Sequence, residues 1–291
     1  KACLGPDEVL ELDSKTSMDG FGKILNKEYQ DLDFDLWIQS VLLKVIENQI
    51  ECVFLPALAP VNPYLLKLLG QIGVKRAHWF FEDFRRATYW KHWKGLVDWE
   101  WGVQEHAPTE MPYLPNACWG EKVNLPTEFT FEYGFVGIPS LYRVKAIEVL
   151  AKKGQKIGVW GPGWEKVQIP NVSFFSTWVD FSAEMEVYQK CKFNVNLSFT
   201  DPGDQRRFHQ ISPRVLRILQ SGTSLLTESL PQGEFLWQNV VVSFFDSLAD
   251  LERQAQETPF LTRMKNQEYV MNAHHLKSRV SLMASAIWSN P

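Results

Sequence analysis

Ser212-Pro-Arg-Val-Leu-Arg-Ile-Leu-Gln-Ser-Gly-Thr-Ser-Leu-Leu-Thr-Glu228 is the stretch on which the fold reading turns. A serine hydroxyl can cap a helix, and a proline one residue later has its φ already set for the first helical position. Gly222 then supplies the left-handed conformation that closes a helix. The spacing predicts a helix over Pro213–Ser221 and a strand over Thr223–Thr227, so one element of an α/β fold hands over to the next within a single stretch.

Working outward, the same rhythm continues on both sides. Strands are predicted at Tyr133–Ile138, Lys156–Trp160, Val172–Phe175, Lys192–Leu197 and Val240–Phe244. Helical segments at Ser140–Lys153, Phe181–Lys190 and Ser247–Gln256 separate them. Ser140 can cap the first of these, whose Leu141, Val144, Ile147 and Leu150 recur every three residues until Gly154. Strand and helix in alternation imply a parallel sheet with right-handed crossovers, which binds ligands at the carboxyl ends of its strands. The first third carries a weaker version of the pattern. A helix is expected around Leu36–Glu47 and strands at Glu51–Leu58 and Lys75–Phe81, with a helix at Pro63–Gly70 and shorter strands at Leu96–Trp99 and Met111–Leu114. A polar, proline-bearing segment near 120–130 reads as a linker. The expected organisation is therefore residues 1–125 as a first α/β domain, 126–270 as a second, and 271–291 as a closing helix.

With 291 residues, the chain has room for two such domains, and an apolar fraction of 45 % with twelve Trp and nineteen Phe can fill two cores. Thirty basic against thirty-four acidic residues give a net charge of −4, which offers no broad positive field for a nucleic-acid backbone. Cys3, Cys52, Cys118 and Cys191 lie far apart and share no metal-ligand spacing with the six histidines, so reduced structural thiols and no metal are expected. No apolar run is long enough for a transmembrane segment, and Lys1–Gly20 lacks the order of a signal peptide. The cytoplasm is the expected compartment.

Five segments carry candidate chemistry. In Phe135-Val-Gly-Ile-Pro-Ser-Leu-Tyr-Arg143, Gly137 permits close backbone approach, the helix after Ser140 offers free N–H groups, and Arg143 adds a fixed charge, a set suited to a diphosphate. In Phe208-His-Gln-Ile-Ser-Pro-Arg214, His209, Ser212 and Arg214 can face one anion at a helix start, with Arg206 and Arg207 adding charge upstream. Ser212 as a plain cap and Arg214 as a surface ion-pair partner explain the same residues. Trp160-Gly-Pro-Gly-Trp164 forces a turn at Gly161 and Gly163, and Trp164 either stacks on a base or packs in the core. Asn194 and Asn196 share one face of a strand and need partners there. In the first half, Glu82 and Asp83 follow an apolar strand and, with His78, are the candidates for a catalytic base; His106 is a weaker one. No Asp-x-Asp pair stands among these segments, which fits a site that works without a metal.

Read in order, the segments resemble the CgeB-like, spore-maturation-type branch of the family 1/4-like glycosyltransferases. The matching pieces are Trp79-Phe-Phe-Glu-Asp, Tyr113-Leu-Pro-Asn-Ala, Phe135-Val-Gly with Arg143, Val159-Trp-Gly-Pro-Gly-Trp164, Asn196-Leu-Ser, Ser212-Pro-Arg-Val-Leu, Ser-Gly222, Leu225-Leu-Thr-Glu228, and His274 with Arg279. The resemblance implies the GT-B fold, two Rossmann-like domains facing each other across a cleft, with the last helix packing back on the N-terminal domain. It further implies a nucleoside-diphosphate sugar as donor substrate, held by Gly137, Arg143, Gly161, Gly163, Trp164, Asn196, His209, Ser212, Arg214 and Glu228. No cofactor is implied, and the acceptor is an unknown glycan, protein or small molecule. Where relatives carry a glutamate three residues after the arginine, this chain has Arg217, and the partner position holds Leu225. A GT-B relative that binds without turnover and a sugar-nucleotide epimerase are the alternative readings.

Overall fold

A computed structural model describes residues 32–56, 63–81, 90–104, 111–152, 154–199, 211–229, 234–257 and 262–289. The chain divides into two compact units, residues 1–115 with 279–291, and residues 116–278.

The first unit holds a three-stranded parallel sheet, β1 (Cys52–Pro56), β2 (Lys75–Phe80) and β3 (Trp99–Gly102), in that order. Helices α1 (Leu32–Glu47), α2 (Pro63–Gln71) and the short α3 (Trp90–Trp93) accompany it. Ile38, Val41 and Val45, spaced three and four apart on α1, put one stripe of that helix into a core shared with Leu55, Leu65, Leu66, Leu69, Phe80 and Trp93. Each such side chain contributes roughly 1.5–3 kcal/mol by leaving water. The strand expected at Leu96–Trp99 begins at Trp99 instead, and Met111–Leu114 forms only an isolated bridge, Gly102 to Tyr113. The closing helix, α10 (Leu276–Ser289), joins this unit from Arg279 onward. Lys75 Nζ donates to the Ile287 carbonyl (3.0 Å) and Trp288 Nε1 to Glu51 Oε2 (3.3 Å), so the helix packs back on the N-terminal unit as expected.

The second unit is a six-stranded parallel sheet of β4 (Phe131–Val136), β5 (Ile157–Trp160), β6 (Val172–Phe175), β7 (Cys191–Asn196), β8 (Ser224–Glu228) and β9 (Ser243–Phe245). Its spatial order is β6-β5-β4-β7-β8-β9. Counted from β4 this is 3-2-1-4-5-6, the doubly wound order whose direction reverses between β4 and β7. Helices α4 (Leu141–Ala151), α5 (Phe181–Gln189), α6 (Pro213–Gln220), α7 (Glu234–Trp237), α8 (Leu248–Glu257) and α9 (Arg263–Ala273) connect or follow the strands. Predicted strands and helices in this half sit within about three residues of the observed ones, because local caps set the ends: the Ser140 and Ser212 hydroxyls accept from Arg143 N and Arg214 N, and Gly154 and Gly222 have positive φ. Leu141, in the first turn of α4 at the open end of the sheet, is exposed although it belongs to the apolar repeat.

The segment read as a linker lies within this second unit, whose boundary falls at Pro115/Asn116, ahead of residue 125. Its backbone carbonyls are taken up one after another. Arg217 Nη1 and Gln220 Nε2 donate to Trp119 O, Gln267 Nε2 to Val123 O and Arg263 Nη1 to Pro126 O. Side chains of the second unit thus hold this polar segment at residues 119, 123 and 126.

Candidate functional site

The carboxyl edge of the six-stranded sheet gathers most of the donor-site candidates. β4 ends at Val136 and hands over to Gly137, β5 to Gly161, β7 ends on Asn196 and β8 on Glu228. The loops step across the sheet by backbone bonds, Gly137 N to Trp160 O (2.8 Å) and Gly161 N to Phe175 O (3.0 Å). Gly161 has φ 136°, and a Cβ there would stand 2.5 Å from the Gly137 carbonyl oxygen, so only glycine lets these two loops lie in contact. Gly163 (φ 93°) turns the same loop against Pro139.

Arg143 and Arg214 meet over one ring. The guanidinium of Arg143 lies 5.2 Å from the centroid of Phe135 and that of Arg214 5.6 Å, at the β4–β7 reversal point. Arg143 is nearly buried and donates from Nε to Ser198 O (3.0 Å), Nη1 to Ile138 O (2.8 Å) and Nη2 to Leu197 O (2.9 Å). Burial, and then the neighbouring Arg214 cation, press its pKa down to about 9, while Glu228 opposes that shift. Arg214 reaches back from the start of α6, and its Nη1 donates to Asn196 Oδ1 (3.2 Å). The Asn196 amide donates in turn to Thr227 Oγ1 (3.0 Å), its register partner on β8. Glu228 is fully buried and accepts from the Ser198 N–H (3.0 Å) and the Ser198 hydroxyl.

The structure corrects other expectations. Trp164 is fully buried, stacked 5.5 Å from Phe174 with its Nε1 bonded to Gly137 O (2.7 Å), so of its two readings packing is the one realised, and the ring presents no face to a base. Ser212 caps α6 and holds Arg214 N at 3.3 Å. His78 is fully buried on β2 with its ring 4.7 Å from Trp93, and neither ring nitrogen has a partner among the described residues. Desolvation lowers its pKa to about 4, and a sealed imidazole does not present itself to an acceptor hydroxyl. Glu82, Asp83, His106, His209, Arg206 and Arg207 lie outside the described residues. Asn194, the other amide of β7, donates to Tyr188 O (3.0 Å) and Thr223 Oγ1 (2.9 Å) and so ties the strand to its neighbours. Asp33 and Asp35 do have Asp-x-Asp spacing, and both fall within α1 in the first unit. Among the described residues no group of three or more His, Cys, Asp or Glu could hold a metal ion.

Arg217 and Leu225 also find their places. Arg217 is buried, pairs with Glu184 on α5 (3.0 Å) and lies 4.4 Å over the Trp119 ring. Leu225 is a core residue beside Val215 and Leu219. Sequence reading did not assign Phe135, Ser198 and Thr227 a role at the site. The register Asn196↔Thr227 that unites two of the polar groups exists only once strands β7 and β8 are paired.

Residues 143–285, just under half of the chain, match the family described as glycosyl transferase-like. No curated protein shows significant sequence similarity to the chain. Solved structures do share its fold. Sucrose-phosphate synthase from Thermosynechococcus elongatus superposes with TM-score 0.59 at 9 % identity, over 86 % of this chain and 76 % of that one. The Anabaena protein HepE in complex with UDP and glucose gives 0.58 at 10 %, over 87 % and 81 %. The pneumococcal O-GlcNAc transferase GtfA in complex with UDP and GlcNAc gives 0.57 at 9 %, over 87 % of this chain and 59 % of its own. Among the described residues no helix is long and apolar enough to cross a membrane. Residues 143–285 are therefore similar to a glycosyl transferase-like domain, and the chain has the GT-B fold.

Proposed function

We propose that the chain is a glycosyltransferase that takes a sugar from a nucleoside diphosphate, with the diphosphate at the carboxyl edge of the six-stranded sheet and a hydroxyl compound as acceptor. One observation carries the reading: two arginines converge over Phe135 where the sheet order reverses, beside the capped start of α6. That is where an open parallel sheet takes its ligand. As the glycosidic bond breaks, negative charge accumulates on the leaving phosphate. The positive dipole end of α6 and a fixed guanidinium are placed in advance to stabilise that charge. Such a site works by protein cations without a metal, and metal independence is part of the proposal. The HepE and GtfA structures, both in complex with UDP, support a nucleotide-sugar partner and make uridine the first nucleoside to try. The CgeB-like assignment remains part of the same proposal, resting on the motifs between residues 75 and 285.

The test is a thermal-shift panel of uridine, guanosine, thymidine, adenosine and cytidine diphosphates with their sugars, on the chain and on Arg214→Ala. A ligand present at 100 times its Kd stabilises the native state by about 2.7 kcal/mol. The expected result is a shift with one nucleoside series that Arg214→Ala abolishes. Flat melts with every diphosphate would refute the donor site, and donor conversion with no acceptor present would move the assignment to an epimerase.

A further inference from the structure

We propose that Arg143 is a positioning residue that shapes the anion site without touching the anion, which leaves Arg214 as the side chain that holds the phosphates; the inference rests on the donor reading above. The guanidinium of Arg143 is a fork whose three nitrogens each already donate to a carbonyl, those of Ile138, Leu197 and Ser198. The rings of Phe135 (5.2 Å) and Phe199 (5.3 Å) lie against it, and the residue is 7 % exposed. With three of its five N–H groups committed to these carbonyls and both rings against it, turning the fork toward a phosphate would cost bonds already made, that to the buried Leu197 carbonyl among them.

These carbonyls are not arbitrary. Ile138 follows β4, and Leu197 and Ser198 follow β7, so the fork joins the two strands that flank the reversal point. Ser198 carries the link one strand further, because its N–H and hydroxyl both donate to Glu228 at the end of β8. Asn196 directly precedes this pinned dipeptide, and its Oδ1 receives Arg214 Nη1. Fixing the backbone at 197–198 thus fixes the acceptor that aims Arg214. The buried carboxylate of Glu228 offsets the repulsion between the two guanidinium groups. Arg214 is differently placed: it is half-buried, and Asn196 Oδ1 is the single hydrogen-bond acceptor of its guanidinium among the described residues.

Lysine at either position separates the two roles, since it keeps the charge and loses the planar fork. Calorimetric titration of inorganic pyrophosphate and of UDP into the full chain and into Arg143→Lys, Arg143→Gln, Arg214→Lys and Arg214→Gln is the experiment, with folding of each checked by circular dichroism. Expected at position 143 is an equal weakening by Lys and Gln, because neither spans three carbonyls. At position 214, Gln should weaken pyrophosphate binding by roughly 10- to 100-fold, the scale of one charged hydrogen bond, and Lys should restore most of it. Parent-like affinity in Arg143→Lys alongside weak binding in Arg143→Gln would overturn the proposal, since charge alone would then suffice. Should the 143 variants fail to fold, the arginine Nε resonances of the parent decide: pyrophosphate should move the Arg214 signal and leave that of Arg143 in place, and the reverse refutes the assignment. If neither pyrophosphate nor UDP binds the parent, the donor reading falls and takes this inference with it.

Discussion

The titratable side chains packed beside the two sheets are held differently. In the second, Arg143 has three carbonyl acceptors, Arg217 has Glu184 and two further acceptors, and Asn196 joins Arg214 to Thr227. In the first, His78 has no hydrogen-bond partner among the described residues, and its register neighbour Glu100 has one buried oxygen without a partner there. A paired cation can remain charged inside a protein, and an unpaired titratable group is driven to its neutral form. The burial that lowers His78 and raises Glu100 does so in each case by disfavouring the charge. The second unit therefore holds fixed charge inside its fold, some of it at the carboxyl edge of its sheet.

Breaking a pair in the second unit gives the largest expected effect. Arg217→Ala leaves the largely buried Glu184 without its cation and removes one of the two donors to Trp119 O, and should cost roughly 3–5 kcal/mol in denaturant unfolding. A loss below about 1 kcal/mol would mean that the ion pair is a solvated surface contact, and the contrast between the units would shrink.

The first unit predicts a pH dependence instead. Below pH 6.5 the unfolded chain takes up a proton that folded His78, with its pKa near 4, refuses. Stability should therefore be unaffected by this group above that pH and fall as the pH drops from 6.5 towards 4, by roughly 2–3 kcal/mol at pH 4.5. His78→Phe keeps an aromatic ring beside Trp93 and should remove that part of the acid sensitivity. Identical urea curves for parent and variant at pH 4.5, after matching at pH 7.5, would show that His78 finds a partner on folding.

The smallest effect concerns the helix caps of α4 and α6. Ser140→Ala and Ser212→Ala each remove a bond to a first-turn N–H, and each should cost about 1 kcal/mol. Ser212→Ala should also weaken nucleotide binding, because it loosens the turn that carries Arg214. A change at Ser140 that matched it in binding would argue that α4 takes part in holding the anion.

The comparison also shows where sequence reading succeeds. The strands of the second unit and four of its helices were readable because their punctuation is local, a serine cap, a proline and a closing glycine, whereas α7 and α9 were not predicted. The first unit lacks such signals at β3, and its predicted strand at Leu96–Trp99 slid to Trp99–Gly102. At the site, Arg143, Arg214, Asn196 and Glu228 could be named because each stands at a strand end or in a helix's first turn. Ser198 and Phe135 gained their roles only through the partners that the fold supplied.

Sequence by itself determined the alternating elements, the parallel sheet of the second unit and the clustering of candidate polar residues at strand ends, since all of these follow from caps, breakers and apolar periodicity along the chain. Tertiary structure decided which of those residues do what. It set Arg143 into a fork of carbonyls, sent Trp164 and His78 into the cores, and gave Arg217 an ion pair. The reason is physical: a side chain's charge state and reach depend on burial and on partners from other strands, and neither is encoded in its immediate neighbours.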